Sequence, residues 1–220
     1  MGADTTASGS QSHAEGGNTT ASGTNAHAEG GGSVASGDGA HAEGFGTTAS
    51  GSASHSEGVG TRATGDSGAH SEGGGSVASG SSSHAEGGGT AAHSGSAHAE
   101  GSGTLACGGS SHAEGGGTKA YGSSSHAEGA GSLAAGSCSH AEGNYTTAIG
   151  YAEHTSGQYN VLDTAPAWIS GQSYTVGDLV SIEETFTDTS NTQRTRTLIY
   201  RCKTANSDTS FTNYKWTISG

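Results

Sequence analysis

The stretch SHAEGGNTTASGTNAHAEG, residues 12–30, contains the trio His-Ala-Glu twice, and its two histidines are fourteen positions apart. The same histidine occurs ten times, always at a spacing of fourteen except for one step of fifteen. These residues are His13, His27, His41, His55, His70, His84, His98, His112, His126 and His140. Repeats of constant length predict a solenoid, in which each copy forms one coil and stacks on the next.

A shorter period of seven runs through each repeat, as an alanine followed two residues later by a glycine. Ala14 and Gly16 open this pattern. Because side chains alternate along a strand, these two share one face while His13 and Glu15 share the other. The alanine face is predicted to lie inside, because an outer row accepts a residue as large as Arg62. We predict two five-residue strands and two tight glycine turns in each coil.

The composition alone is typical of a disordered chain, with 42 glycines, a hydrophobic share of 29% and a formal net charge of -13. The strict period argues against disorder, because stacked repeats bury small side chains collectively. The acidic balance, with 7 lysines and arginines in total, argues against a nucleic-acid partner and against an anionic membrane surface. We also expect no membrane insertion, because the sequence has no apolar run long enough to span a bilayer.

Stacking in register predicts one column of histidines beside one column of glutamates. The glutamates are Glu15, Glu29, Glu43, Glu57, Glu72, Glu86, Glu100, Glu114, Glu128 and Glu142. Carboxylates about 4.8 Å apart repel one another, and neighbouring imidazoles offset this cost. We therefore predict a structural ladder, whose first pairs are His13 with Glu15, His27 with Glu29 and His41 with Glu43.

Three interpretations of the ladder differ in chemistry. Structural pairing, within a chain or across a three-fold interface, is favoured because ten similar copies suit a lattice better than ten sites. Metal binding is the second, but each copy presents only two ligands and a third must come from another rung or chain. Catalysis is the third, and it is disfavoured because alternation places Ser12 on the face opposite His13, which breaks a proton relay. We assign no catalytic residue, no metal and no cofactor.

The histidine and glutamate face is predicted to meet a neighbouring chain, because its residues hardly change along the sequence. The outer row of the other sheet varies more, running Thr20, Val34, Thr48, Arg62, Val77, Ala91, Leu105, Lys119 and Leu133. If imidazolium pairs with carboxylate at such an interface, the histidine pKa rises in the folded state. Stability is then expected at low pH and is lost as the pH rises.

One coil is irregular. In TAAHSGSAHAEG, residues 90–101, Ser94 replaces the expected glycine and His93 is added. We predict a local β-bulge at this position.

The heptads TTASG, SVASG, SLAAG and TTAIG resemble the head repeats of trimeric autotransporter adhesins of the YadA type. The resemblance covers residues 5 to about 157. It implies a left-handed parallel β-roll with three chains in one rod. Related head repeats also occur in phage tail fibres. Because the sequence shows neither a coiled-coil stalk nor a C-terminal membrane barrel, a phage-type fibre is the expected context.

The repeat fades after His154, and the single proline of the chain, Pro166, follows. We expect a β-roll over residues 1–157, a cap and linker over 158–165 and a small tip domain over 166–220. Large aromatic residues are concentrated in this last part, and a domain of that size needs such side chains as its core. They are Trp168, Tyr174, Phe186, Tyr200, Phe211, Tyr214 and Trp216.

Three strands are predicted in the tip domain: SYTVGDLVSIE (173–183), RTRTLIYRCK (194–203) and YKWTIS (214–219), with a polar hairpin over 184–193. The region resembles small carbohydrate-binding modules of the chitin-binding type 5/12 class. The residues that match are Trp168, Tyr174, Gly177, Asp178, Val180, Tyr200, Cys202 and Trp216. The resemblance implies sugar binding through aromatic faces, and the candidate residues are Trp168, Tyr174, Tyr214 and Trp216. The paired tryptophans typical of chitin binders are replaced by KTANSD (203–208), which argues against chitin itself.

The expected protein is an all-β homotrimeric fibre segment of a phage or phage-like particle, extracellular, whose tip binds a cell-surface polysaccharide or glycan and which catalyses no reaction. The alternative is a fragment of a bacterial trimeric surface adhesin, in which the β-roll binds host matrix. A third possibility is an accessory module that guides a separate catalytic domain.

Overall fold

The computed structural model describes residues 3–159, 173, 179–187, 193–202 and 216–218. The chain divides into two units, Met1–Gln158 and Tyr159–Gly220. The described residues are all β-strand, turn and coil, and they include no helix that could cross a membrane. The predicted solenoid is confirmed: coils of about fourteen residues stack through two parallel sheets of 11 strands each.

Each coil contributes one short and one long strand. The short strands are β1 (Thr6–Ala7), β3 (Thr20–Ala21), β5 (Val34–Ala35), β7 (Thr48–Ala49), β9 (Arg62–Ala63), β11 (Val77–Ala78), β13 (Ala91–Ala92), β15 (Leu105–Ala106), β17 (Lys119–Ala120), β19 (Leu133–Ala134) and β21 (Thr147–Ala148). The long strands are β2 (His13–Gly17), β4 (His27–Gly31), β6 (His41–Phe45), β8 (His55–Val59), β10 (His70–Gly74), β12 (His84–Gly88), β14 (His98–Ser102), β16 (His112–Gly116), β18 (His126–Ala130), β20 (His140–Asn144) and β22 (His154–Thr155).

The prediction of two five-residue strands per coil is wrong for the short side, where each strand has two residues. The backbone leaves the sheet directly after the buried alanine. The carbonyl oxygen of Ala35 accepts from the N–H of Ser22 at 2.9 Å and also from that of Gly23 at 3.5 Å. Because both amides point to one acceptor, the chain is already turning at Gly23 and cannot continue the ladder.

The register holds through both irregular coils. The fifteen-residue step places its extra residue in the turn at Ser67 and Gly68, both with positive φ, while His55 still pairs with His70. The bulge predicted at Ser94 is absent, because Ala92 pairs with Ala106 in the same parallel register as its neighbours. Ser94 fits because its hydroxyl donates a hydrogen bond to a backbone carbonyl oxygen of the next coil.

The interior contains small side chains, as predicted. Alanines from both strands are fully buried along the roll, for example Ala21 and Ala28. Several buried hydroxyls bond to one another or to backbone carbonyls: Thr47 Oγ1 donates to Ser33 Oγ at 3.0 Å, and Ser54 Oγ donates to the carbonyl oxygen of Gly51 at 2.7 Å. The coil is therefore too narrow for a conventional core of large apolar side chains.

Glycine is required at the fourth position of the long strand, for example at Gly87. Gly87 has a φ of +108°, and a Cβ at this position would lie 2.1 Å from the carbonyl oxygen of Gly101 in the next coil. No side chain fits at such a distance, so the spacing of the coils itself excludes other residues here. The adjacent Gly88 differs, since a Cβ there would meet no atom within 4 Å in the described part of the chain.

The second unit contains three described strands, β23 (Leu179–Thr187), β24 (Gln193–Cys202) and β25 (Trp216–Ile218). They pair antiparallel in the order β23-β24-β25, with Val180 opposite Tyr200 and Cys202 opposite Trp216. Strand β23 continues to Thr187, past the predicted end at Glu183. The interpretation of residues 166–220 as a carbohydrate-binding domain stays a prediction.

Candidate functional site

The histidines of the long strands form one continuous stack. From His27 to His154 the ring centroids of successive histidines are 4.7–4.8 Å apart, and their planes lie within 3–11° of parallel. His13 begins the stack edge-on, at 5.1 Å and 69° from His27. The column therefore includes His154, which the sequence pattern left out because no glutamate follows it, although its spacing of fourteen from His140 is the usual one.

The stack half-buries its members. Inside the column the histidine side chains are 33–38% exposed, whereas the two end residues, His13 and His154, are 63% and 57% exposed. The alternation of the strand explains this position, because Ala14 and its equivalents point inward and the imidazoles lie on the outer face. Each ring is covered by the rings of the coils above and below it.

A glutamate carboxylate lies beside each imidazole of the predicted pairs. The distance from Nε2 to the carboxylate is 3.4 Å for His13 with Glu15, and 3.8 Å both for His27 with Glu29 and for His41 with Glu43. Some glutamates also reach the histidine of the next coil. Glu114 is the example: its two oxygens lie 3.9 Å from His112 Nε2 and 3.7 Å from His126 Nε2. Glu43 and Glu128 bridge two histidines in the same way.

The inner ring nitrogens lack a hydrogen-bond partner. Within the described residues, Nε2 is buried and unsatisfied in His27, His41, His55, His70, His84, His98, His112, His126 and His140. The nearest carboxylate oxygens are beyond hydrogen-bond distance from most of these atoms. The ladder therefore contains a row of desolvated nitrogens that face carboxylates across a narrow gap.

Burial dominates the electrostatics of the histidines within one chain. Burial is the main reason that the pKa of His41, His70, His112 and His126 lies below the usual value, and the like charge of the neighbouring imidazoles adds to it. The nearby glutamates act in the opposite direction but do not prevail. Within one chain the direction is downward because stacking removes water from each imidazole and places a like charge on both sides of it, although the carboxylates are nearer. The rise expected for histidines paired at a trimer interface stays a prediction.

Glu114 shares a proton with its neighbour in the glutamate column. Hydrogen bonds with Glu128 and Glu100 raise the pKa of Glu114 to about 7, and the pKa of Glu128 is lowered because it accepts from Glu114. At the exposed end of the ladder, a hydrogen bond to His13 lowers the pKa of Glu15. The proton shared by Glu114 and Glu128 relieves the expected repulsion of carboxylates at this point of the column.

The serine that precedes the histidine is used in the turn. Ser12 Oγ donates to the carbonyl oxygen of Gly9 at 2.8 Å, and Ser83 Oγ donates to that of Gly80 at 2.7 Å. These hydroxyls point into the coil, as the alternation argument predicted.

A shallow groove runs beside the glutamate column, and its lining residues are Glu57, Glu72, Gly73, Glu86, Gly87 and Gly101.

The sugar-binding candidates fall mostly outside the described residues. Trp168, Tyr174 and Tyr214 lie there, and of Trp216 only the strand backbone is described.

The structure shows exposed apolar residues on the roll that the sequence analysis did not select. Phe45 is 69% exposed and Val59 is 60% exposed, and they are direct neighbours in adjacent strands. Their signal in the sequence was a large apolar residue in a row that otherwise holds small or polar residues.

Comparison with known protein families finds no family model that matches this chain, and comparison with curated proteins also finds no match.

Proposed function

We propose that the chain is a segment of a homotrimeric fibre of the phage tail-fibre or receptor-binding type, whose C-terminal part, residues 166–220, binds bacterial surface glycans. The observation that carries the proposal is the unbroken stack of 11 strands in each sheet of the roll. At about 4.8 Å per coil this stack is roughly 50 Å long. A stack of similar short coils forms a long and regular structure. This suits a shaft that holds a recognition element away from a particle.

Trimer formation is supported by the small core of a single roll and by the apolar side chains that it leaves exposed to solvent. Its interior buries mainly alanine methyls and small hydroxyls, and each buried methylene-sized group contributes only about 0.8 kcal/mol. Large apolar side chains lie outside, among them Tyr121 at 44% and Ile149 at 39% exposure. Association of parallel rolls would cover part of this surface and add buried area to every coil.

Glycan binding is supported by the resemblance of the tip to carbohydrate-binding modules and by its aromatic residues, Trp168, Tyr174, Tyr214 and Trp216. Flat aromatic faces stack on sugar rings. Three tips on one fibre would convert weak single-site binding into useful avidity, because the second and third contacts are intramolecular.

The test is a pull-down against bacterial cell walls and isolated polysaccharides, with the intact chain and a chain truncated after Gly157. We expect the intact chain to bind and the truncated chain to lose binding. Trp168→Ala and Tyr214→Ala should weaken binding by the intact chain, while Tyr151→Ala, an exposed aromatic substitution on the roll, should leave it unchanged. Failure of both chains to bind any cell wall would contradict glycan recognition.

A second candidate function is favoured by Phe45 and Val59, which form an apolar patch on the outside of the roll. In this alternative the protein is a bacterial surface adhesin and the roll binds host matrix protein. Binding that survives truncation after Gly157, and that Phe45→Ser removes, would favour this function over the first.

A further inference from the structure

The ladder brings a third ligand to each histidine and glutamate pair. One coil supplies only two donors, but the histidine of the next coil lies directly above. In several trios the imidazole nitrogens and one carboxylate oxygen all lie within 4.8 Å of one another. Five of these trios are His13–Glu15–His27, His55–Glu57–His70, His84–Glu86–His98, His98–Glu100–His112 and His112–Glu114–His126.

We propose that the ladder is a linear array of binding sites for divalent transition-metal ions of the zinc class, each ion held by Nε2 of two successive histidines and by the carboxylate between them. This inference is separate from glycan binding at the tip. Two imidazoles and one carboxylate form a ligand set that zinc, nickel, cobalt and copper(II) accept, with a remaining position for water. Calcium and magnesium prefer oxygen ligands alone and are excluded by the two nitrogens.

The distances fit a site that closes on its ion. Ligands at about 2.0–2.1 Å from a tetrahedral ion lie roughly 3.3 Å from one another. The nitrogen-to-oxygen distances of 3.7–3.9 Å around Glu114 need to shorten by only a few tenths of an ångström. The wider separation of the two rings requires a tilt of the imidazoles toward each other, and they lie on an outer face where rotation about the side-chain bonds is possible.

The Nε2 atoms that would bind the ion are mostly without a hydrogen-bond partner in the metal-free chain. In the nine column histidines from His27 to His140 these Nε2 atoms are buried and lack hydrogen-bond partners among the described residues, so an ion would satisfy them without breaking an existing bond. A positive ion would also reduce the repulsion within the glutamate column, in a chain whose formal net charge is -13.

The stacking fixes the stoichiometry. His98 belongs to two trios, but a neutral imidazole offers one nitrogen lone pair, so adjacent sites that share a histidine cannot both be filled. The 11 long strands each begin with one histidine of the column, and two histidines are used by each ion. Saturation is therefore expected at about five ions per chain.

The same arithmetic gives a parity rule for substitutions. His84 is the sixth histidine of the column, and its loss leaves two runs of five, which hold about two ions each. His98 is the seventh, and its loss leaves runs of six and four, which still hold about five ions in total. His84→Gln should lower saturation by one ion, whereas His98→Gln should leave it unchanged.

The experiment uses the full chain, stripped with a chelator and loaded with zinc chloride in excess magnesium, with bound zinc counted by elemental analysis after gel filtration. We expect about five zinc ions per chain for the natural sequence, four for His84→Gln and five for His98→Gln. His93→Gln is a further control, because His93 lies outside the column and contacts Ser79. Circular dichroism confirms that each variant retains its strands.

X-ray absorption of the zinc-loaded natural chain is a second measurement that does not depend on variants. It should show imidazole nitrogen and oxygen neighbours at about 2.0–2.1 Å and no sulfur. Zinc that washes off, a single ion per chain, equal loss in His84→Gln and His98→Gln, or a sulfur neighbour from a cysteine would each overturn the proposal.

Discussion

At the scale of single residues, the histidines determine how the roll responds to acid. The pKa of four column histidines is lowered by burial and by stacking. A group with a lower pKa in the folded state binds fewer protons there, so its contribution to stability is complete above the unfolded value of about 6.5 and is lost as the pH falls below it. The raised pKa of Glu114 acts in the opposite sense, but its side chain is 32% exposed and solvent screens part of the effect.

The first prediction is that acid destabilises the metal-free roll. In a buffer that contains a chelator, the melting temperature should decrease as the pH is lowered from about 7.5 to about 5.5, across the unfolded histidine value. Thermal unfolding followed by circular dichroism measures this. A melting temperature that rises on acidification would instead support imidazolium–carboxylate pairing of the kind that the sequence alone suggested.

The second prediction separates two neighbouring carboxyls. The pKa of Glu114 is raised to about 7 in the folded chain, so Glu114→Gln should stabilise the roll slightly at pH 8, by less than about 1 kcal/mol, and by a smaller amount at pH 5.5, which is closer to the ordinary carboxyl pKa. Glu128 has a lowered pKa because it accepts hydrogen bonds, so Glu128→Gln should be neutral or destabilising at both values. Urea unfolding at the two pH values compares them. Equal effects of the two substitutions would contradict a shared proton.

At the scale of the strand and turn, the glycines limit what the repeat tolerates. Gly87 and Gly88 are adjacent in the same strand but differ in surroundings. Gly87→Ala should destabilise the roll by about 3 kcal/mol or more, because its Cβ would overlap the Gly101 carbonyl oxygen at a strained φ. Gly88→Ala is the matched control and should be neutral or stabilising by up to about 1 kcal/mol. The midpoint of urea unfolding reports both, and similar losses for the two would show that the coil spacing is not the cause.

The strands and turns also show which features of the fold can be predicted from the sequence. The period of fourteen, the inward alanines and the outward histidines followed from spacing and alternation, and each was confirmed. The two-residue length of the short strands was not predictable, because it depends on two amides near Gly23 sharing one carbonyl oxygen. The bulge expected at Ser94 failed for a related reason, since a hydroxyl can bond to the next coil without an extra residue.

The lowering of the histidine pKa could not be predicted from the sequence. The sequence shows which residues are neighbours but not how much water each imidazole loses on folding. The answer depends on ring stacking at 4.7–4.8 Å together with burial, and both are properties of the assembled column. His154 was missed because the pattern was defined by the pair with glutamate, whereas the stack requires the imidazole alone.

At the scale of the whole molecule, the roll has little internal stabilisation per coil. Its core is made of alanine, serine and threonine, and apolar residues such as Phe45 remain outside. A column of ions would tighten each roll, and association of rolls would cover their faces, so the two effects would add. Zinc loading is therefore expected to raise the melting temperature of the natural chain and to change that of His84→Gln less.

We propose that three copies of this chain form one fibre, and the molar mass in solution tests this proposal. Sedimentation equilibrium or light scattering of the purified full chain at pH 7.5, with a chelator present, measures it. We expect a single species of about 64 kDa, three times the chain mass of 21.2 kDa. A species of 21.2 kDa that persists at high protein concentration would contradict the trimeric fibre.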